Sequence, residues 1–173
     1  MNVLEHFQHV TTFVFDVDGV LTDGTVLLLD NGLQARRMNT KDGLAIEMAL
    51  RKNYRVLILS GGSSEPVIRR LQYLGVEEVH LGLKDKQKFL KHYLELQELD
   101  ARKVLFMGDD LPDLEAMQLV GMPCCPADAV TEIKMASKYI SPFKGGWGCV
   151  RDVIEKVLRL NDQWHYSGGV SSQ

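Results

Sequence analysis

The stretch TFVFDVDGVLTDG, residues 12–24, decides the fold. Its first half, from Thr12 to Val17, is a continuous apolar run ending in acid, as expected of a strand buried on both faces rather than one alternating between core and water. Its second half, rich in Asp and Gly, must turn. A strand buried on both faces fits the centre of a three-layer α/β domain, provided that helices alternate with strands in the rest of the chain.

The rest of the chain agrees. Two short strand-like runs, TVLLL at 25–29 and LQARRM at 33–38, flank Asp30-Asn31-Gly32, and Asn-Gly in that setting is a strong hairpin signal. Helices and strands then alternate: a helix near 42–52, a strand RVLIL at 55–59, a helix at 64–74 closed by Gly75, and a strand at 79–81. A helix near 84–98, the strand KVLFM at 103–107, a helix at 111–119 closed by Gly121, the short run MPCC and a helix near 127–137 follow. A last helix at 149–160 sets Val150, Val153, Ile154, Val157 and Leu158 on one stripe, the spacing of a helix packed on a core. This alternation implies a parallel sheet with right-handed crossovers.

Composition limits the functions open to such a domain. The chain has 173 residues, 20 Lys plus Arg against 23 Asp plus Glu, and a formal net charge of -3, which leaves no electrostatic footprint for nucleic acid. At this length roughly two-thirds of the unfolded surface can be buried, so residues 1–173 are expected to form one domain without a stapling metal or disulfide. Cys124, Cys125 and Cys149 fit neither a disulfide framework nor a zinc spacing and read as buried thiols. No apolar run has membrane-spanning length and Met1 to Val10 lacks the pattern of a signal peptide, so a cytoplasmic protein is expected. Residues 161–173, polar and Gly/Ser-rich apart from Trp164 and Tyr166, are expected to form a flexible tail.

In a parallel sheet the ligand site lies beyond the carboxyl ends of the strands, and reactive residues collect there. Asp16 and Asp18 end the first strand, Ser60-Gly61-Gly62 the second long one, Lys86 follows the strand at 79–81, and Gly108-Asp109-Asp110 ends KVLFM, with Asp113 three residues on. Taken singly, each has an ordinary structural reading as a turn residue, a helix cap or a solvated ammonium. Together they describe a cation site: clustered carboxylates repel unless a cation sits among them, and oxygen ligands select a hard ion such as Mg2+. Magnesium, a lysine, a hydroxyl and glycine amides are in turn what a phosphoryl group needs, because charge on its equatorial oxygens must be met from several sides.

These motifs resemble those of the haloacid dehalogenase superfamily of phosphohydrolases: FDVDGVLTDG its first, LSGG its second, GLKDK its third and GDDLPD its fourth. The resemblance runs from about Thr12 to Arg159 and implies a Rossmann-like sheet of haloacid dehalogenase type. It makes Asp16 the nucleophile that forms an aspartyl-phosphate, and Asp18 the acid that protonates the leaving oxygen and then the base that activates water. It places Mg2+ on the Asp16 carboxylate, the Asp18 backbone carbonyl and the Asp109 carboxylate, with Asp110 and Asp113 as outer partners. Ser60 and the amide of Gly61 would bind the phosphoryl group, and Lys86 would neutralise it together with Asp16.

The intervals between Asp18 and Ser60 and between Ser60 and Lys86 leave no room for the inserted cap domain of larger members. A capless chain with a hairpin at 25–38, followed by Asn39-Thr40-Lys41-Asp42-Gly43 and a late Gly145-Gly146-Trp147-Gly148, resembles the 3-deoxy-D-manno-octulosonate 8-phosphate phosphatases, which act in lipopolysaccharide precursor synthesis. The nonulosonate 9-phosphate phosphatases share this architecture. Both commonly carry Arg or Glu where this chain has Gly62. A phosphorylated sugar acid also needs a basic group away from the metal, for which Arg70 and Lys41 are the candidates; of the adjacent Arg36 and Arg37 only one could face the site from a strand. In the resembling family four hairpins form the centre of a homotetramer and close one another's sites, and the carboxyl tail can reach a neighbouring site.

The rival reading from another class is a phosphorylatable receiver-type signalling domain, which also surrounds an aspartyl-phosphate with acids, a hydroxyl and a lysine. Receivers place the acidic pair first and the phosphorylated Asp on a later strand. Here Asp-x-Asp-Gly opens the chain, and a second acid cluster comes after the lysine.

Overall fold

The computed structural model describes residues 2–166. Helix α1 (Val3–Gln8) leads into strand β1 (Thr12–Phe15) and the wide turn Val17–Leu21. A two-stranded ribbon follows, β2 (Leu27–Leu28) and β3 (Gln34–Ala35), and then α2 (Thr40–Arg51), β4 (Arg55–Leu59), α3 (Glu65–Tyr73), β5 (Glu78–His80) and α4 (Lys86–Leu96). The last part comprises β6 (Val104–Met107), α5 (Leu114–Met117), β7 (Met122–Cys125), α6 (Thr131–Ala136), β8 (Tyr139–Ile140) and α7 (Cys149–Leu160).

Six strands form one parallel sheet in the order β5-β4-β1-β6-β7-β8. Strand β1 lies at its centre, with Phe15 level with Ile58 and Met107 on its two neighbours. Successive side chains point to opposite faces, and each face has its own core. Phe13, Phe15, Val56, Ile58, Leu105 and Met107 pack under α1, α2, α3 and α7. Val14, Leu57, Leu59, Val104 and Phe106 pack under α4, α5 and α6. This is the expected three-layer, Rossmann-like α/β fold, with an inserted hairpin and, among the described residues, no cap domain.

The hairpin closes as its residues require. Leu29 N–H donates to the Leu33 carbonyl at 3.0 Å across a three-residue loop, in which Asn31 Oδ1 accepts from Leu33 N–H and Gly32 adopts φ +79°. A bridge between Thr22 and Met38 ties its base to the turn after β1.

Some boundaries differ from expectation. The helix expected at 111–119 is a 3-10 turn, Leu111–Asp113, running into the short α5, and α6 begins only at Thr131 because 126–130 turn back with Val130 N–H on the Asp109 carbonyl. The run MPCC is strand β7, and α1 and β8 are too short to carry a periodic signal. Helix α4 starts at Lys86 because Asp85 accepts the Lys88 N–H at 2.8 Å and caps it. All three cysteines are free and buried, and burial raises their thiols. Among the described residues no helix is long and apolar enough to cross a membrane. Of the expected tail, residues 167–173 lie outside the described residues.

Candidate active site

Four strand ends deliver the site. Asp16 continues β1, its N–H bonded to the Met107 carbonyl at 3.1 Å, and its carboxylate is buried. Lys86, the first residue of α4, donates from Nζ to Asp16 Oδ1 at 2.8 Å and to Asp113 Oδ1 at 2.6 Å, and all three side chains are buried. The second oxygen of Asp113 accepts the Asp109 N–H at 3.1 Å. Asp113 thus orients both the ammonium and the loop after β6.

Two glycines make this approach feasible. A Cβ on Gly19, which adopts φ +88°, would lie 2.0 Å from Asp109 Oδ2, and one on Gly108 would lie 2.4 Å from Asp113 Cβ. Oxygens of Asp16, Asp109 and Asp113 come within 4.8 Å of one another, a donor set of carboxylates suited to a hard divalent cation. Charge balance points the same way. Burial, followed by Asp113, raises the Asp16 carboxyl to about 6 against the pull of Lys86. Burial, followed by the charges of Asp16, Asp113 and Asp110, raises Asp109 to about 8. For Lys86, burial opposes the charge, but Asp113 and Asp16 outweigh it and the pKa is raised. One ammonium against three crowded carboxylates leaves an excess of negative charge that a divalent ion would neutralise.

Ser60 ends β4 and is buried, its N–H bonded to the His80 carbonyl at 3.0 Å and its Oγ facing the Gly62 N–H at 3.3 Å. Gly61 beside it is exposed. A Cβ on Gly62 would stand 3.3 Å from Asp18 Oδ2 and 3.8 Å from Ser60 Oγ, so Asp18 and Ser60 border the same small cleft. Asp110 is peripheral: its side chain caps the 3-10 turn by accepting Leu111 N–H at 2.8 Å.

The two basic candidates part company. Arg70 lines a cavity of about 740 Å³ between the hairpin and α3, together with Arg36 and Met38, and stacks over Tyr73. Lys41 lines a different cavity, of about 760 Å³, with Trp147 and Arg151 of the α7 region. The structure also resolves the Arg36/Arg37 pair. Arg36 turns inward onto Asp18, with Nε at 2.7 Å from Oδ1, while Arg37 faces solvent against Asp23. Sequence reasoning limited the choice to one of the two but could not say which, because the answer depends on the register of the ribbon.

Residues 78–150 match the family described as haloacid dehalogenase-like hydrolase. The 3-deoxy-D-manno-octulosonate 8-phosphate phosphatase of Salmonella typhi is 31% identical over 157 residues, covering 91% of this chain and 84% of that protein. The crystal structure of the Yersinia pestis enzyme of the same name superposes with a TM-score of 0.90 at 28% identity, covering 93% of this chain and 87% of that one. That of the Moraxella catarrhalis enzyme, in complex with a magnesium ion, a phosphate ion and a KDO molecule, gives a TM-score of 0.88 at 29% identity, with 91% of each chain covered. With its cap-free sheet and its acids at the strand ends, this chain belongs to the 3-deoxy-D-manno-octulosonate 8-phosphate phosphatase family of haloacid dehalogenase-like hydrolases.

Proposed function

We propose that the chain is a magnesium-dependent phosphatase that releases phosphate from 3-deoxy-D-manno-octulosonate 8-phosphate through an aspartyl-phosphate on Asp16. The observation that carries this reading is the buried Asp16–Lys86–Asp113 array beside Asp109, in a chain similar to an enzyme crystallised with magnesium, phosphate and KDO. An Asp16 oxygen attacks phosphorus as the bond to the sugar oxygen breaks, and Asp18 gives its proton to that oxygen. Asp18 then takes a proton from water, whose oxygen attacks the same phosphorus and frees Asp16. Ser60 Oγ and the Gly61 N–H hold the phosphoryl oxygens, and Lys86 balances their charge.

The Asp16 carboxylate, the Asp18 backbone carbonyl and the Asp109 carboxylate would hold Mg2+, with Asp113 and Asp110 around them. When bound, the ion supplies positive charge to the phosphoryl oxygens. Arg70 is the residue in reach of a sugar carboxylate from the hairpin cavity, with Lys41 on the neighbouring face as the second candidate. The exposed apolar ribbon supports a homotetramer in which hairpins meet.

A steady-state comparison of octulosonate 8-phosphate, nonulosonate 9-phosphate and hexose phosphates tests the reading. The first should have the highest kcat/KM, excess chelator should abolish turnover and magnesium restore it, and Asp16→Asn should be inactive yet folded. A preference for the nonulosonate removes the substrate assignment, and full activity in chelator removes the metal.

A further inference from the structure

A general acid and base needs a third group to orient it, as a catalytic histidine needs its carboxylate. Asp18 stands at the rim of the cleft with its side chain 36% exposed, and the hydrogen bonds its carboxylate makes among the described residues come from Arg36. They form a fork: Nε reaches Oδ1 at 2.7 Å and the terminal NH2 reaches Oδ2 at 3.4 Å. A planar guanidinium engaging both oxygens fixes the rotation of a carboxylate as well as its position, which a lysine cannot do. Arg36 is itself held, with its side chain only 10% exposed between the ribbon and the cleft that contains Ser60, Gly62 and Ser63. A Cβ at position 62 would stand 3.3 Å from Asp18 Oδ2, the oxygen that the Arg36 NH2 reaches.

We propose that Arg36 is a positioning residue for the reaction: delivered by the hairpin, its Nε–H holds Oδ1 of Asp18 and so turns Oδ2, the oxygen on the cleft side that carries the proton to be given, toward the leaving-group oxygen. The inference rests on the reading of Asp18 as acid and base. It gives the hairpin a second task besides covering the site. The ribbon is anchored to the turn after β1 by the Thr22–Met38 bridge, so a displacement of the ribbon moves Arg36 and with it Asp18.

The test uses the full chain with magnesium and compares Arg36→Gln, Arg36→Lys and Asp18→Asn on three substrates: octulosonate 8-phosphate, a hexose 6-phosphate and p-nitrophenyl phosphate. An alkoxide leaving group needs the proton that Asp18 supplies, whereas p-nitrophenolate hardly does, and kcat/KM reports the phosphoryl-transfer step. Arg36→Gln should lower kcat/KM for both sugar phosphates by about 10- to 100-fold, the scale of a misaimed catalytic group, and for the aryl phosphate far less. Arg36→Lys should recover only part of the loss. Arg37→Gln, a change on the solvent side of the same segment, should leave all three rates as they are. An equal loss on all three substrates would mean that Arg36 grips the phosphoryl group; a loss on the octulosonate alone, that it grips the sugar carboxylate. Either overturns the proposal, as does wild-type behaviour of Arg36→Gln beside an impaired Asp18→Asn. Wild-type turnover of Asp18→Asn itself would instead remove the acid-base reading.

Discussion

Lys86 lies between two carboxylates, and all three side chains are buried. Such an arrangement is costly to assemble, because each charge loses its hydration, and more costly to break, because removing one partner strands the others. Lys86→Met keeps most of the length of the side chain and deletes the charge. In metal-free protein it is expected to lower the unfolding free energy by about 3–5 kcal/mol in denaturant titrations, and to abolish turnover with magnesium present. An unchanged unfolding midpoint would show that the ammonium does not hold this array together. Asp16, Lys86 and Asp109 were legible in the sequence because strand ends converge in a parallel sheet. The fork on Asp18 was not, since it depends on how a ribbon of two-residue strands pairs.

At the scale of elements the hairpin stands apart from the rest. Its Leu27, Leu28 and Leu33 are exposed, with Leu28 at 73%, and no helix among the described residues covers them. A two-stranded ribbon does not hold such a face to water for its own stability. Leu28→Glu, which leaves both cores untouched, is therefore expected to reduce the particle mass in light scattering while the circular dichroism spectrum stays that of wild type. A monomer in both proteins would leave the apolar face unexplained by assembly. The hairpin was readable because Asp30-Asn31-Gly32 is turn chemistry between apolar runs. The central strands were readable because burial on both faces leaves them apolar after their first residue, Thr12 in β1 and Arg55 in β4. The short elements were not: β8 has two residues, and α6 lost its first turn to backbone contacts that Pro126 and Asp109 make in three dimensions.

Across the whole molecule a buried carboxylate ties helix α2 to helix α7. Asp42, in the first turn of α2, accepts the Arg151 N–H of α7 on Oδ1 at 2.7 Å, while its Oδ2 accepts no hydrogen bond among the described residues. The segment leading into α7 lies directly on the turn after Asp16: Gly146 N–H donates to the Val20 carbonyl at 2.9 Å, and a Cβ on Gly145 would stand 1.9 Å from the Gly19 carbonyl oxygen. Asp42 thus supports, through α7 and the glycines at 145–148, the loop that carries Asp18. Burial raises its carboxyl to about 6, with the Arg151 and Gly148 amides pulling the other way. A folded-state pKa above the unfolded value means that the folded protein holds the proton more tightly. The stability from this group is therefore complete below about pH 4 and is lost as pH rises through about 6. Asp42→Asn keeps the accepting oxygen and removes the charge, and an unpartnered amide costs less in a core than an unpartnered carboxylate. Its melting temperature should match wild type at pH 4 and exceed it at pH 8, whereas Asp42→Ala, without the acceptor, should melt lower at both. Thermal unfolding with magnesium held constant decides the matter. An Asn variant that melts below wild type at pH 8 would mean that the ionised carboxylate, and not merely its oxygen, holds α7 against the active-site turn.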